Sequence, residues 1–167
     1  MNVVLEGPDG GGKSTLAQII SDACGVRVQQ GSGPPKEKGE VERRALEYLA
    51  MDRVIFDRHP CISQPVYAMI RGEVISHQLN LRVLELHSQN HLFIYCRSAN
   101  LDRHVVKDGE NPAHVAALEA KFETVLAHYD LWAVRHAHMI YRIGDDYTRV
   151  VMAAQAHLGA FVVGSNR

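Results

Sequence analysis

The chain has 167 residues, of which 46% are apolar and 22% are charged, as is typical of a single globular domain. Its 18 basic and 19 acidic side chains give a net charge of −1, which argues against a protein that coats nucleic acid through excess positive charge. The sequence shows neither an apolar run long enough to span a membrane nor a recognisable signal peptide, so we expect a cytoplasmic protein. The odd number of widely spaced cysteines fits reduced thiols in that compartment.

Short apolar runs alternate with amphipathic runs along the chain, which predicts strands that alternate with helices. We predict strands at residues 2–6, 26–28, 54–56, 92–96 and 139–143. We predict helices at residues 13–24, 40–50, 66–71, 74–88, 113–135 and 146–157, with loops at residues 31–39 and around Pro60 and Pro65. This order favours one α/β domain over residues 1–167, in which about five mostly parallel strands carry helices on both faces.

A glycine-rich segment lies between the first predicted strand and the first predicted helix. Residues 7–14 read Gly-Pro-Asp-Gly-Gly-Gly-Lys-Ser and fit the pattern Gly-x-x-x-x-Gly-Lys-[Ser/Thr] in full. Glycines let successive backbone N–H groups face an anion, the lysine supplies charge to the β- and γ-phosphates, and the serine hydroxyl can bind Mg²⁺. We therefore predict a P-loop that binds the triphosphate of ATP through Gly10, Gly11, Gly12, Lys13, Ser14 and Thr15.

Polar residues also follow the third and fourth predicted strands. Because ligands of parallel sheets bind at the carboxyl ends of the strands, we expect Asp57, Arg58 and Arg97 at the same edge as the P-loop. Asp57 can hold Mg²⁺ through water or accept a proton, and Arg58 can bridge the donor and acceptor phosphates. Residues 97–112 form a candidate lid, in which Arg97 and Arg103 would bind the ATP phosphates and neutralise charge on the transferring group.

Three segments resemble the thymidylate kinase family of P-loop kinases. Residues 5–15 are similar to the family's opening loop, Glu-Gly-x-Asp-Gly-x-Gly-Lys-Ser-Thr, and Asp9 narrows the match to this branch. Residues 57–59, Asp-Arg-His, resemble its Asp-Arg-[Tyr/His/Ser] step, and residues 39–43 resemble its Gly-Glu-x-x-Arg segment. Residues 57–67 are more similar still to small bacteriophage deoxynucleoside monophosphate kinases of the same superfamily. The resemblance covers roughly the first 100 residues.

The resemblance implies a role for each matching residue. It places Asp9 near the acceptor sugar or the catalytic arginine, and Arg43 and Arg58 on the acceptor phosphate. It also gives Asp57 a part in placing magnesium. The residues that would face the acceptor base or sugar are Ser63, Gln64 and Tyr67. Two departures leave thymine selectivity open: residues 31–35 lack the family's arginine, and the tyrosine segment is one residue out of register. The candidate lid is also shorter than the family's usual lid and has fewer arginines.

The predicted function is transfer of the γ-phosphate of ATP to a deoxynucleoside monophosphate, dTMP-like or broader, with Mg²⁺ as cofactor. The predicted catalytic residues are Lys13, Asp57, Arg58 and Arg97, and the predicted metal ligands are Ser14 and, through water, Asp57. We expect nucleotides as partners, with neither a membrane nor stable nucleic-acid binding, in the host cytoplasm if the gene is phage-borne. The sequence does not decide between a monomer and a homodimer. Two alternatives stay open: a deoxynucleoside or polynucleotide 5′-hydroxyl kinase with Asp57 as base, or an ATP-dependent switch.

Overall fold

Strands and helices alternate through residues 1–31, 33–97 and 112–159, which are the residues that the computed structural model describes. The five strands within these ranges are β1 (Asn2–Glu6), β2 (Val28–Gln30), β3 (Ile55–Asp57), β4 (His91–Arg97) and β5 (Met139–Arg142). The helices are α1 (Lys13–Cys24), α2 (Glu40–Leu49), α3 (Pro60–Arg71), α4 (His77–Ser88), α5 (Pro112–Ala120), α6 (Phe122–His136) and α7 (Thr148–Leu158).

The strands form one sheet in the order β2-β3-β1-β4-β5, and every neighbouring pair is parallel. The prediction of about five mostly parallel strands is therefore confirmed. The central strand β1 is buried along its whole length, as expected for a strand covered on both faces. Successive residues of β1 point to opposite faces, so Val4 packs in one apolar core and Val3 and Leu5 pack in the other. The first core includes α2, α3, α4 and α6, and the second includes α1 and α7.

Two sequence predictions about the helices are wrong. The segment around Pro60 and Pro65 is helix α3 and not a loop. Pro60 occupies the first helical position, where its missing N–H costs nothing, and the Nδ1 atom of His59 caps the helix by accepting from the Cys61 N–H at 3.2 Å. The single stretch predicted over residues 113–135 is two helices, because the backbone leaves helical geometry at Lys121.

The fold brings the carboxyl ends of β3, β1 and β4 side by side. The P-loop leaves the sheet there after β1, Asp57 ends β3, and Arg97 ends β4. These three segments are far apart in sequence, and the parallel pairing alone places them at a common edge. No helix in the described ranges combines the length and the apolar composition that a bilayer crossing requires.

Candidate active site

The loop between β1 and α1 packs tightly against the end of β4. A Cβ atom on Gly7 would lie 2.1 Å from the carbonyl oxygen of Cys96, and one on Gly11 would lie 2.5 Å from the same oxygen. Neither distance is tolerable for a side chain, so the backbone can follow this path only with glycine at both positions. Gly7 also has φ +142°, which L residues with side chains rarely adopt. The loop is therefore held in a close-packed conformation by the sheet below it.

Lys13 begins α1 and lies inside this loop. Its side chain is buried, and Nζ donates a hydrogen bond to the carbonyl oxygen of Pro8 at 2.6 Å. Burial, together with the nearby positive charge of Arg58, lowers the pKa of Lys13 to about 8. A bound polyphosphate would supply the negative charge that the buried ammonium group lacks, so the loop is better matched to an anion than to water.

Two side chains whose oxygen atoms could bind a metal ion lie close together where β3 faces the start of α1. The Ser14 hydroxyl donates to Oδ2 of Asp57 at 2.5 Å, and the Asp57 side chain is buried. Hydroxyl and carboxylate oxygens are ligands that Mg²⁺ favours, so the two predicted metal ligands fit that ion chemically. Across the described ranges, no group of three or more His, Cys, Asp or Glu side chains gathers as a metal cage. A divalent ion here would take its other ligands from water and phosphate, as Mg²⁺ commonly does.

Arg58 is the centre of a polar network beside the P-loop. Its Nη2 donates to Oδ1 of Asp9 at 2.9 Å, and its Nη1 donates to the hydroxyl of Tyr129 at 2.9 Å. The guanidinium carbon lies 5.4 Å from the centre of the Tyr67 ring, and the Tyr67 hydroxyl donates to Oδ2 of Asp9 at 3.2 Å. Arg58 has φ +78°, a left-handed conformation that residues other than glycine rarely adopt. The predicted residues Asp9, Arg58 and Tyr67 thus form one cluster.

Glu6, at the end of β1, is a buried carboxyl group that the sequence prediction did not assign a role. Its Oε1 accepts from the backbone N–H of His59 at 2.6 Å. Its Oε2 has no hydrogen-bond partner among the described residues and lies 4.0 Å from Nη1 of Arg58. Burial raises the pKa of Glu6 to about 7, although the charge of Arg58 opposes that rise. A glutamate directly after the apolar run of residues 3–5 was the signal that could have identified it.

Ser63 and Gln64, the other residues predicted to face the acceptor, make their hydrogen bonds outside the Arg58 cluster. Ser63 donates to the His59 carbonyl oxygen at 3.1 Å, inside helix α3. Gln64 borders the loop before α2 and donates to the Gly33 carbonyl oxygen at 3.4 Å, and its Oε1 accepts from Arg71 at 3.5 Å.

Arg43 is not brought to the Arg58 cluster. Its side chain is 55% exposed and pairs with Glu37 at 2.8 Å. Its neighbour Arg44 is the more buried arginine of α2, and it donates to the Gly33 carbonyl oxygen at 2.9 Å.

Arg97 extends from the end of β4 toward α6. Its Nη2 lies 3.3 Å from Oδ2 of Asp130, and the other oxygen of Asp130 accepts from the Tyr95 hydroxyl at 2.7 Å. Of the candidate lid, Arg97 and Pro112, which begins α5, lie within the described ranges. Arg103 and the other residues of the lid, 98–111, lie outside the described residues.

A cleft of about 310 Å³ joins the P-loop to the end of β3. Gln30 and Gly31, at the end of β2, line it and were not singled out from the sequence. All the other lining residues were predicted site residues, namely Asp9, Gly10, Gly12, Lys13, Ser14, Thr15, Asp57 and Arg58. The cleft therefore combines the glycine-rich loop, the hydroxyl and carboxylate oxygens of Ser14 and Asp57, and the Arg58 guanidinium in one place.

No protein-family model matches the chain, and no curated protein matches it either. Solved structures do. The YorR protein of Bacillus subtilis, solved in complex with phosphorylated GDP, aligns with a TM-score of 0.65 at 17% identity, over 94% of this chain and 98% of that chain. This chain has an α/β P-loop NTPase fold. Deoxyadenosine kinase from M. mycoides, solved with bound dATP, aligns less closely, with a TM-score of 0.49 at 17% identity over 95% of this chain and 100% of that chain. The resemblance to thymidylate kinases and to phage enzymes stays a prediction.

Proposed function

We propose that this chain is a nucleoside monophosphate kinase that transfers the γ-phosphate of ATP to a deoxynucleoside monophosphate. The observation that carries the proposal is the position of Arg58. It lines the same cleft as Lys13 and Ser14, and it is held by the Asp9 and Tyr67 side chains. An arginine between a triphosphate-binding loop and a second polar cluster suits a residue that contacts two phosphates at once.

The transfer step depends on placing charge rather than on covalent help from the protein. Lys13 would hold the β- and γ-phosphates, and Arg58 would bind the acceptor phosphate and neutralise charge as it develops. Ser14 and, through water, Asp57 would hold Mg²⁺, whose charge would help to neutralise the bound phosphates. The attacking oxygen belongs to a phosphate that is already anionic, so this reaction needs no strong general base.

The acceptor would lie on the side of Arg58 that faces α3. Asp9 and Tyr67, which are hydrogen-bonded to each other, suit the sugar, and Gln64 with Ser63 suits the sugar or base. Gln64 faces Arg71 across 3.5 Å, which adds an arginine that the sequence prediction omitted. We propose a dTMP-like acceptor, with broader or modified bases also accepted. A protein of the same fold was solved with a phosphorylated guanine nucleotide, which supports nucleotides as the ligand class.

The donor side of the proposal includes residues near the candidate lid. Arg97 and Arg103 would bind the ATP phosphates, within a single kinase domain over residues 1–167. Arg97 pairs with Asp130, so binding the triphosphate would require it to exchange or share that partner. Arg43 would reach the acceptor phosphate only after it leaves Glu37.

A second candidate function is a kinase whose acceptor is a nucleoside hydroxyl. Glu6 favours it, because Oε2 has no hydrogen-bond partner among the described residues and the pKa of about 7 suits a proton acceptor. Against it, the Glu6 side chain is fully buried and does not line the cleft. Asp57, the other carboxylate that could serve as base, already accepts from Ser14. We therefore rank this function second.

The experiment is a panel of acceptors incubated with ATP and Mg²⁺, with ADP release as the readout. The panel contains the deoxynucleoside monophosphates, the corresponding nucleosides, and oligonucleotides with a 5′-hydroxyl. The proposal expects ADP release that depends on a monophosphate and a diphosphate product. Turnover with nucleosides or oligonucleotides alone would contradict it in favour of the second function, and acceptor-independent hydrolysis would indicate a switch.

A further inference from the structure

The guanidinium group of Arg58 is held from two sides by different parts of the chain. Asp9 of the P-loop binds Nη2, and Tyr129 of α6, which is 71 positions away in sequence, binds Nη1. An arginine side chain carries five N–H donors, so these two contacts leave three for phosphate oxygens. The two contacts also fix the plane in which those remaining donors lie.

Tyr129 has no access to the cleft. Its side chain is fully buried and does not line the cleft, so it cannot touch a bound nucleotide directly. A buried hydroxyl needs a hydrogen-bond partner, and Arg58 is the one that the described residues provide. Within the described ranges, the hydrogen bond of the Tyr129 hydroxyl therefore links this tyrosine to the site through Arg58.

Helix α6 is fixed where it carries Tyr129. The next residue, Asp130, accepts a hydrogen bond from the Tyr95 hydroxyl of β4 at 2.7 Å, and the rings of Tyr95 and Tyr129 stack with centres 6.5 Å apart. These contacts hold the Tyr129 hydroxyl at a set place above the sheet. A rigid partner is what a precisely aimed arginine requires, since catalytic groups lose activity when their supports are loose.

The backbone of Arg58 gives an independent reason for such a support. Its φ of +78° is a conformation that persists only where the surroundings fix it. Asp9 alone would attract the guanidinium toward the P-loop from one side. The second hydrogen bond, from Nη1 to the Tyr129 hydroxyl, keeps the guanidinium from turning toward Asp9.

We propose that Tyr129 is a positioning residue, whose hydroxyl orients Arg58 toward the acceptor phosphate. This inference rests on the proposed function, because it assigns the support of the arginine that would bridge the two phosphates. The competing interpretation is that Tyr129 only fills the core beside Tyr95. The two interpretations differ in the role of the hydroxyl group. A phenylalanine would fill the core equally well but could not hydrogen-bond to Arg58.

The test compares Tyr129→Phe with Trp132→Phe. Trp132 lies on the same helix and donates a hydrogen bond to His87 at 3.1 Å, so its variant loses a hydrogen bond remote from Arg58. At saturating ATP, Tyr129→Phe is expected to lower kcat for the monophosphate roughly tenfold to a hundredfold, the value of a hydrogen bond to a charged group. The KM for ATP should not change. Trp132→Phe should keep the wild-type kcat.

A second readout is independent of turnover. In protein labelled with ¹⁵N-arginine, the Nε–H signal of Arg58, assigned by its loss in Arg58→Ala, should be sharp in wild type and in Trp132→Phe. It should broaden in Tyr129→Phe as the guanidinium gains freedom.

An unchanged kcat and an unchanged Arg58 signal in Tyr129→Phe would overturn the inference, and so would an equal loss in Trp132→Phe. If wild type shows no turnover with any monophosphate, the proposed function fails. The Arg58 signal then still decides whether Tyr129 orients this arginine.

Discussion

Replacing Arg58 with lysine tests whether the two hydrogen bonds that hold the guanidinium, to Asp9 and to Tyr129, are needed for turnover of the acceptor. Arg58→Lys keeps the positive charge but replaces a planar group with five donors by a single ammonium group. One nitrogen cannot occupy the positions that Nη1 and Nη2 take, 2.9 Å from Tyr129 and 2.9 Å from Asp9. At least one hydrogen bond to a charged group is lost, which is worth about 1.5–3 kcal/mol. That energy corresponds to a roughly 10- to 150-fold loss in kcat/KM for the monophosphate acceptor.

The assay is steady-state ADP release with the acceptor varied at saturating ATP. Calorimetric titration with ATP should give the wild-type affinity, because the phosphate-binding loop around Lys13 is unchanged. Arg82→Lys is the matched control, since Arg82 pairs with Glu85 on the surface of α4, away from the cleft. If Arg58→Lys turns over the acceptor within twofold of wild type, the role given to Arg58 is wrong.

Two further changes test the buried carboxyl groups. The pKa of Glu6 is raised to about 7 in the folded chain from an ordinary 4.5, so the folded state binds more protons between those values and stability should fall as pH rises through them. The decrease in the free energy of unfolding that Glu6 causes is up to about 3 kcal/mol. Chemical unfolding measured from pH 4.5 to 7.5 should show that Glu6→Gln lacks this decrease. If the free energy of unfolding changes equally with pH in both proteins, the argument from the pKa of Glu6 is wrong. Asp57→Asn weakens the pair with Ser14, so half-maximal turnover should need about tenfold more Mg²⁺. Asp22→Asn, on the surface of α1, is the control, and an unchanged Mg²⁺ requirement in Asp57→Asn would remove Asp57 from the metal site.

The sequence was sufficient for the parts of the site that are contiguous or that follow from topology. The P-loop is one unbroken segment, so its sequence pattern alone is enough to predict phosphate binding. Asp57 and Arg58 were placed correctly beside it, because parallel strands bring their carboxyl ends together. The P-loop needed only its sequence pattern, and Asp57 and Arg58 needed only the rule that parallel strands end at a common edge of the sheet.

The rest depends on contacts that have no local signature. Tyr129 reaches Arg58 from 71 positions away, and nothing in the helical pattern of α6 separates it from an ordinary core aromatic. Asp130 likewise pairs with Arg97 across the fold. Such partners are set by how a helix packs on the sheet, which periodicity alone does not determine.

One error, and one assignment that stays a prediction, come from how local rules were applied. Pro60 was taken as a loop signal, although proline is well suited to the first position of a helix. For α2, the family pattern pointed to Arg43, whereas the structure turns Arg44 toward the loop at Gly33 and leaves Arg43 exposed. One step along a helix rotates a side chain by about 100° and so decides which of two arginines faces inward.

The central claim is that the loop around Lys13 and Ser14 binds a magnesium-bound triphosphate. The most direct measurement is a calorimetric titration of the protein with a non-hydrolysable ATP analogue and Mg²⁺, repeated with Lys13→Ala. We expect one binding site per chain in the wild type, and its loss in Lys13→Ala without a drop in thermal stability, because the buried lysine lies in a site that disfavours its charge. Wild-type protein that binds neither ATP nor GTP analogues with metal present would show that the loop does not bind a triphosphate.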